Sequence, residues 1–117
     1  MKWLTWIALL AFGCGDPQIN QPPVAVAGPD LYKEYTGTAT HIRLDGAQSF
    51  DPDGDAIQWR WRALRTPNTS LDELPTTPEP RIELTTPGVY TFELVVMDAQ
   101  AHSEPDYVNV VLATPPP

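Results

Sequence analysis

A five-residue acidic reversal, Asp51-Pro52-Asp53-Gly54-Asp55, stands between two segments in which apolar and polar residues alternate. This stretch constrains the fold more than any other. Proline fixes φ, glycine supplies a positive φ, and aspartate accepts backbone N–H bonds, so the chain must turn sharply here. Upstream, Ile42 and Leu44 point one way and His41, Arg43 and Asp45 the other. Downstream, Ile57, Trp59, Trp61 and Ala63 share a face, with Gln58, Arg60 and Arg62 opposite. A period of two on both sides of a reversal is the pattern of half-buried β-strands.

The alternation recurs along the chain. Pro87-Gly88 has the residues of a type II turn, and residues 89–98 form the strongest predicted strand. Tyr90, Phe92, Leu94 and Val96 lie on one of its faces and Thr91, Glu93, Val95 and Met97 on the other. Residues 81–84 and 107–113 add strands, the last with Val108, Val110 and Leu112 inward. Residues 24–27, ended by Gly28-Pro29, and residues 31–35 read as short edge strands where the chain switches sheets. Residues 64–80 are the least regular, with a short strand or turn expected at 71–74. The 14 prolines and 7 glycines fall between the apolar runs, which excludes a helical bundle. The expectation is an all-β, immunoglobulin-like two-sheet β-sandwich of about seven strands over residues 23–113, with a proline-rich tail at 114–117.

The amino terminus is of another kind. Met1-Lys2 gives a basic start, and residues 3–12 are an apolar run shorter than the ~20 residues of a membrane span, which matches a cleavable signal segment. Cys14 is the sole cysteine, so no intrachain disulfide can form. Leu10-Ala11-Phe12-Gly13-Cys14 resembles the lipobox of a bacterial lipoprotein precursor. The resemblance implies a signal peptide at residues 1–13, a covalent lipid on Cys14 and a tether through residue 22 that holds the domain close to the membrane. Ala11-x-Gly13 also resembles an ordinary signal peptidase site, which would leave Cys14 unmodified; export is implied by both.

Net charge is −8, and removing Lys2 with the leader leaves 6 basic against 15 acidic residues, a side-chain sum of −9. Such a surface repels phosphates, which argues against nucleic acid and against direct contact with anionic lipid headgroups. The expected partners are the membrane, through the lipid anchor, and a protein or glycan. Arg60, Arg62 and Arg65 form a basic strip, read as pairing with neighbouring acids or as docking an anionic partner. Asn68-Thr69-Ser70 fits a glycosylation sequon, which carries no weight behind a bacterial leader.

Five ordered motifs carry a further resemblance. Pro23-Val24-Ala25-Val26-Ala27-Gly28-Pro29-Asp30, Leu44-Asp45-Gly46, Ser49-Phe50-Asp51-Pro52-Asp53-Gly54-Asp55, Trp59-Arg60-Trp61 and Pro87-Gly88-Val89-Tyr90-Thr91-Phe92, with Val96-Met97-Asp98 after them, are similar to a PKD domain. After Trp61 the chain reads Arg62-Ala63-Leu64-Arg65, where many members carry an aromatic, glycine and aspartate motif. The resemblance implies an extracellular immunoglobulin-like module of surface proteins and secreted enzymes. It makes Trp61 the core tryptophan and Tyr90 a tyrosine corner, while strand periodicity already places Trp59 and Phe92 in the core.

The acidic turn is the one constellation with chemistry in it. Asp51, Asp53 and Asp55 could converge on Ca²⁺, and an immunoglobulin-like topology brings Asp98 beside them. The alternative is an Asx-turn in which the aspartates accept backbone N–H bonds. The spacing departs from an EF-hand loop, with the glycine too early and no glutamate at the far end. No nucleophile accompanies His41 or His102, so no enzyme is expected. Function therefore reads as a non-catalytic envelope lipoprotein for recognition or adhesion, with the outer membrane favoured over the inner. The alternatives are a structural spacer or assembly subunit, or an accessory module of a secreted hydrolase system.

Overall fold

A computed structural model describes residues 19–67, 71 and 73–116. The signal segment, Cys14, the first part of the tether and the Asn68-Thr69-Ser70 sequon lie outside the described residues. The described chain is all-β. Its strands are β1 (Leu31–Glu34), β2 (Thr40–Arg43), β3 (Gln58–Arg65), β4 (Arg81–Leu84), β5 (Gly88–Met97) and β6 (Asp106–Ala113).

They form two sheets, one of four strands in the order β1-β6-β5-β3 and one of two strands, β2-β4. β5 is antiparallel to both β3 and β6, whereas β1 runs parallel to β6 at the edge. The expected alternation explains the packing. Tyr90, Phe92, Leu94 and Val96 of β5 are fully buried, and Val108, Val110 and Leu112 of β6 meet them from the neighbouring strand. Ile42, Ile82 and Leu84 close the core from the two-stranded sheet, with Leu44 just past the end of β2. Each such side chain contributes on the order of 1.5–3 kcal/mol by leaving water.

The polar ends of the large aromatics are satisfied by loops, which ties those loops to the core. Trp61 is buried and donates from Nε1 to the Thr77 carbonyl at 3.0 Å. Trp59 is half-buried and donates to the Gly46 carbonyl at 2.9 Å. Tyr90 donates its hydroxyl to the Thr86 carbonyl at 2.6 Å, four residues upstream. That is the bond by which a tyrosine corner fixes the entry to its strand.

Two local expectations change. Residues 24–27 form no strand: Val24 makes a single antiparallel bridge to Phe50, and Ser49 Oγ and Asp106 Oδ2 accept the N–H bonds of Val26 and Ala27. Leu71, Glu73 and Leu74 lie in no strand either, although Leu71 and Leu74 pack on the core. The prolines at 67, 75, 78 and 80 remove the donors a ladder there would need. Among the described residues the sandwich therefore has six strands, with a bridge at Val24, where about seven strands were expected.

Candidate functional site

The acidic turn folds by satisfying its own backbone. The Asp51 carbonyl accepts the Gly54 N–H at 2.9 Å, Gly54 takes a φ of 78°, and Asp51 Oδ1 accepts the Asp53 N–H at 2.7 Å. This is the Asx-turn geometry, and it uses one of the two Asp51 oxygens. Oδ2 is buried and has no hydrogen-bond partner.

Across from it, β5 ends in a second Asx-type turn. Asp98 Oδ1 accepts the N–H groups of Gln100 and Ala101, both at 2.7 Å, and a bridge between Met97 and His102 closes the loop. Carboxylate oxygens of Asp51, Asp55 and Asp98 all lie within 4.8 Å of one another. Asp53 is not in this cluster, and its Oδ2 accepts the Gln21 N–H at 2.7 Å. Asn20 reaches the same region, donating from Nδ2 to Asp98 Oδ2 at 3.0 Å. Residues read from sequence as tether thus dock on both acidic loops. Asn20 does so with its side-chain amide, whereas Gln21 uses its backbone N–H, which no side-chain type signals.

The electrostatics are asymmetric. Asp51 is held above the usual carboxylate range, first by desolvation and then by the nearby Asp98, against the pull of the Asp53 N–H. Asp98 is lowered to about 2, first by the Gln100 N–H and then by Asn20 and Ala101, against its own desolvation. A proton or a cation between the two carboxylates would relieve the same repulsion.

The other polar candidates are spread out. His41 sits on β2, where its Nε2 lies 3.5 Å from Glu83 Oε2, and His102 belongs to the loop after β5. Arg62 pairs with Glu93 across β3 and β5 at 3.4 Å, an exposed guanidinium on a largely covered carboxylate.

The fold and the tyrosine corner define an immunoglobulin-like PKD sandwich. The chain belongs to the K319L-like PKD domain family, whose model matches residues 27–112. It is 36% identical over 86 residues to the human dyslexia-associated protein KIAA0319 and 30% identical over 95 residues to the mouse KIAA0319 homolog. Those alignments cover 70% and 81% of this chain but only 8% and 9% of the relatives, so the chain spans less than a tenth of their length. Among solved structures, the PKD domain of human KIAA0319 superposes with a TM-score of 0.62 at 17% identity, over 90% of this chain and 93% of that one. The PKD domain of the KIAA 1837 protein gives 0.59 at 24% identity, over 89% and 97%.

Proposed function

We propose that the chain is a non-catalytic, lipid-anchored module of a bacterial cell envelope that recognises a protein or glycan partner. One row on the outer face of the four-stranded sheet carries this reading. Tyr32 of β1 pairs with Val111 of β6, which pairs with Val89 of β5. Tyr32 is 65% exposed, and Tyr107, on the same face of β6, is 49% exposed. A row that presents two exposed tyrosines beside half-buried valines suits contact better than spacing. Membership of the PKD family supports an extracellular site of action, and the lipobox-like residues before Cys14 support the anchor.

The test is adhesion of cells displaying the full chain to a surface of envelope material. The parent chain should adhere, and a Tyr32→Ser/Tyr107→Ser variant should lose adhesion while keeping its melting temperature. A Cys14→Ser variant should leave the membrane fraction. Adhesion equal to that of cells lacking the chain would sink the recognition reading in favour of a spacer.

The acidic cluster supports a second element, a Ca²⁺ site formed by Asp51, Asp55 and Asp98. The buried Asp51 Oδ2 has no hydrogen-bond partner, and Asp51 stands within 4.8 Å of two other carboxylates, which fits a hard cation with carbonyls and water completing the six to eight oxygens it takes. Asp53 lies outside this set.

Proton linkage gives the signature. The raised pKa of Asp51 contributes stability that is present in acid and lost as pH rises through it. The lowered pKa of Asp98 contributes stability that is present above the unfolded value of ~3.9 and lost as pH falls through about 2. Without metal, the melting temperature should rise as the solution is first acidified and then fall below about pH 4. Saturating Ca²⁺ should raise the neutral-pH value and remove the first rise, and Asp51→Asn should abolish both effects. An unchanged melting curve at millimolar Ca²⁺ would end the metal reading.

A further inference from the structure

The six lysine and arginine residues beyond Lys2 fall into two groups. Arg60, Arg62 and Arg65 lie on β3. The other three, Lys33, Arg43 and Arg81, line one groove of about 430 Å³ together with Leu31, His41 and Ile42. The groove runs between β1, an edge of the four-stranded sheet, and β2, which pairs on its other side with β4. Buried Ile42 and half-buried Leu31 form its apolar floor, and the three cations are exposed.

These charges are not compensated within the fold. In the β2-β4 register Arg43 stands directly opposite Arg81, and like charges in that position cost stability. Arg43 Nη1 donates to the Glu79 carbonyl at 3.4 Å, while the nearby Glu83 is taken up by His41. Among the described residues, neither Lys33, Arg43 nor Arg81 lies within 4.0 Å of a carboxylate. The chain has 15 acidic residues with which to neutralise them. A local arrangement that weakens the fold, placed around a concavity, is what a binding site looks like.

We propose that the groove between β1 and β2 binds an acidic peptide in extended conformation, laid as an added strand along the free edge of β2. This deepens the recognition reading and rests on it. Charge complementarity fixes the sign of the partner, and the two guanidinium groups suit carboxylates, which they can bind through paired N–H donors. The strand edges select a peptide over an anionic glycan. Among the described residues nothing pairs with the outer side of β1 or β2, so main-chain N–H and C=O groups border the groove, and a peptide backbone satisfies them. The period of two then sends alternate side chains of the guest to Arg43 and Arg81 and the intervening ones to Leu31 and Ile42. A second copy added edge to edge would bring a second set of exposed cations to the same strand edge, which the same electrostatics disfavour.

Fluorescence anisotropy with the full chain in detergent tests this, using a labelled peptide that alternates glutamate and valine. The peptide should bind saturably and weaken steeply with salt. Arg43→Gln/Arg81→Gln should weaken it about tenfold or more, as expected for lost charge-assisted bonds, and should melt no lower than the parent because a like-charge pair is gone. Arg60→Gln/Arg62→Gln should leave binding unchanged. The same peptide with alternate amides N-methylated keeps its charge and loses its strand-pairing donors, so it should bind about tenfold or more weakly. Equal binding of the methylated peptide, binding indifferent to Arg43 and Arg81, or binding of heparin oligosaccharide with the peptide silent would each overturn the proposal. Cells that still adhere through Tyr32 and Tyr107 while the peptide fails to bind would remove the groove alone and leave the recognition reading in place.

Discussion

Trp61→Ala should lower the unfolding free energy by about 3–5 kcal/mol, the range for truncating a large buried aromatic. Trp61 is 4% exposed and stands opposite Leu94 in the β3-β5 register, so its indole is sealed between the central strand and the opposing sheet. The fit leaves no slack: a Cβ built on Gly46 would lie 2.8 Å from Trp61 Cζ2 and 3.1 Å from Leu94 Cδ2. Rigid walls of this kind collapse poorly into a vacated volume, which favours the upper part of the range. The indole N–H also holds the Thr77 carbonyl, so truncation frees the loop between β3 and β4 as well. With domain stabilities of about 5–15 kcal/mol, the variant should be marginal at 37 °C. Urea titration with parallel Trp59→Ala should separate the two tryptophans, because Trp59 is only half-buried and its loss should cost clearly less. Equal losses, or a loss at Trp61 below about 1 kcal/mol, would place the centre of the core elsewhere.

The period-two pattern and the turn residues were enough to locate β2 through β6 and their inner faces. Both depend on each residue and its near neighbours. The β5 register shows where such reading stops: Gly88, expected to complete a turn, already pairs with Leu112 at a φ of 145°. Residues 24–27 looked like a strand because they are apolar, but their N–H groups bond to Ser49 and Asp106, which lie 23 and 79 residues away in the chain. The approach of Asp98 to Asp51 and Asp55 followed from topology alone, since adjacent loops at one end of a sandwich must meet. The bond from Gln21 to Asp53 did not, because Gln21 lies 32 residues upstream in a stretch whose composition reads as linker. Arg43 and Arg81 were likewise two unremarkable outward residues until the β2-β4 register set them face to face.

Gly28→Ala should cost about 2–5 kcal/mol, combining left-handed strain of about 1–2 kcal/mol with overpacking of about 1–3 kcal/mol. Gly28 has a φ of 82°, and a Cβ there would lie 2.7 Å from the Asp45 carbonyl oxygen, a backbone atom that cannot swing aside. Gly54→Ala is the control. Its φ of 78° imposes the same strain, but nothing lies within 4 Å of the added carbon, so its cost should stay near 1–2 kcal/mol, at about the strain alone. The difference between the two variants then measures the contact with Asp45. Position 28 matters beyond stability, because the chain crosses there from its bridge with Phe50 to the parallel pairing of β1 with β6. The crossing is pinned by Asp30 Oδ1, which accepts the Asn109 N–H at 2.9 Å. A misdirected kink should loosen β1 first, and with it both the Tyr32 row and one wall of the cationic groove. Amide exchange on β1 should therefore rise in Gly28→Ala by more than the global loss of stability accounts for, while β5 exchange should follow the global loss. Uniform acceleration across both strands would mean that the kink acts only on the fold as a whole.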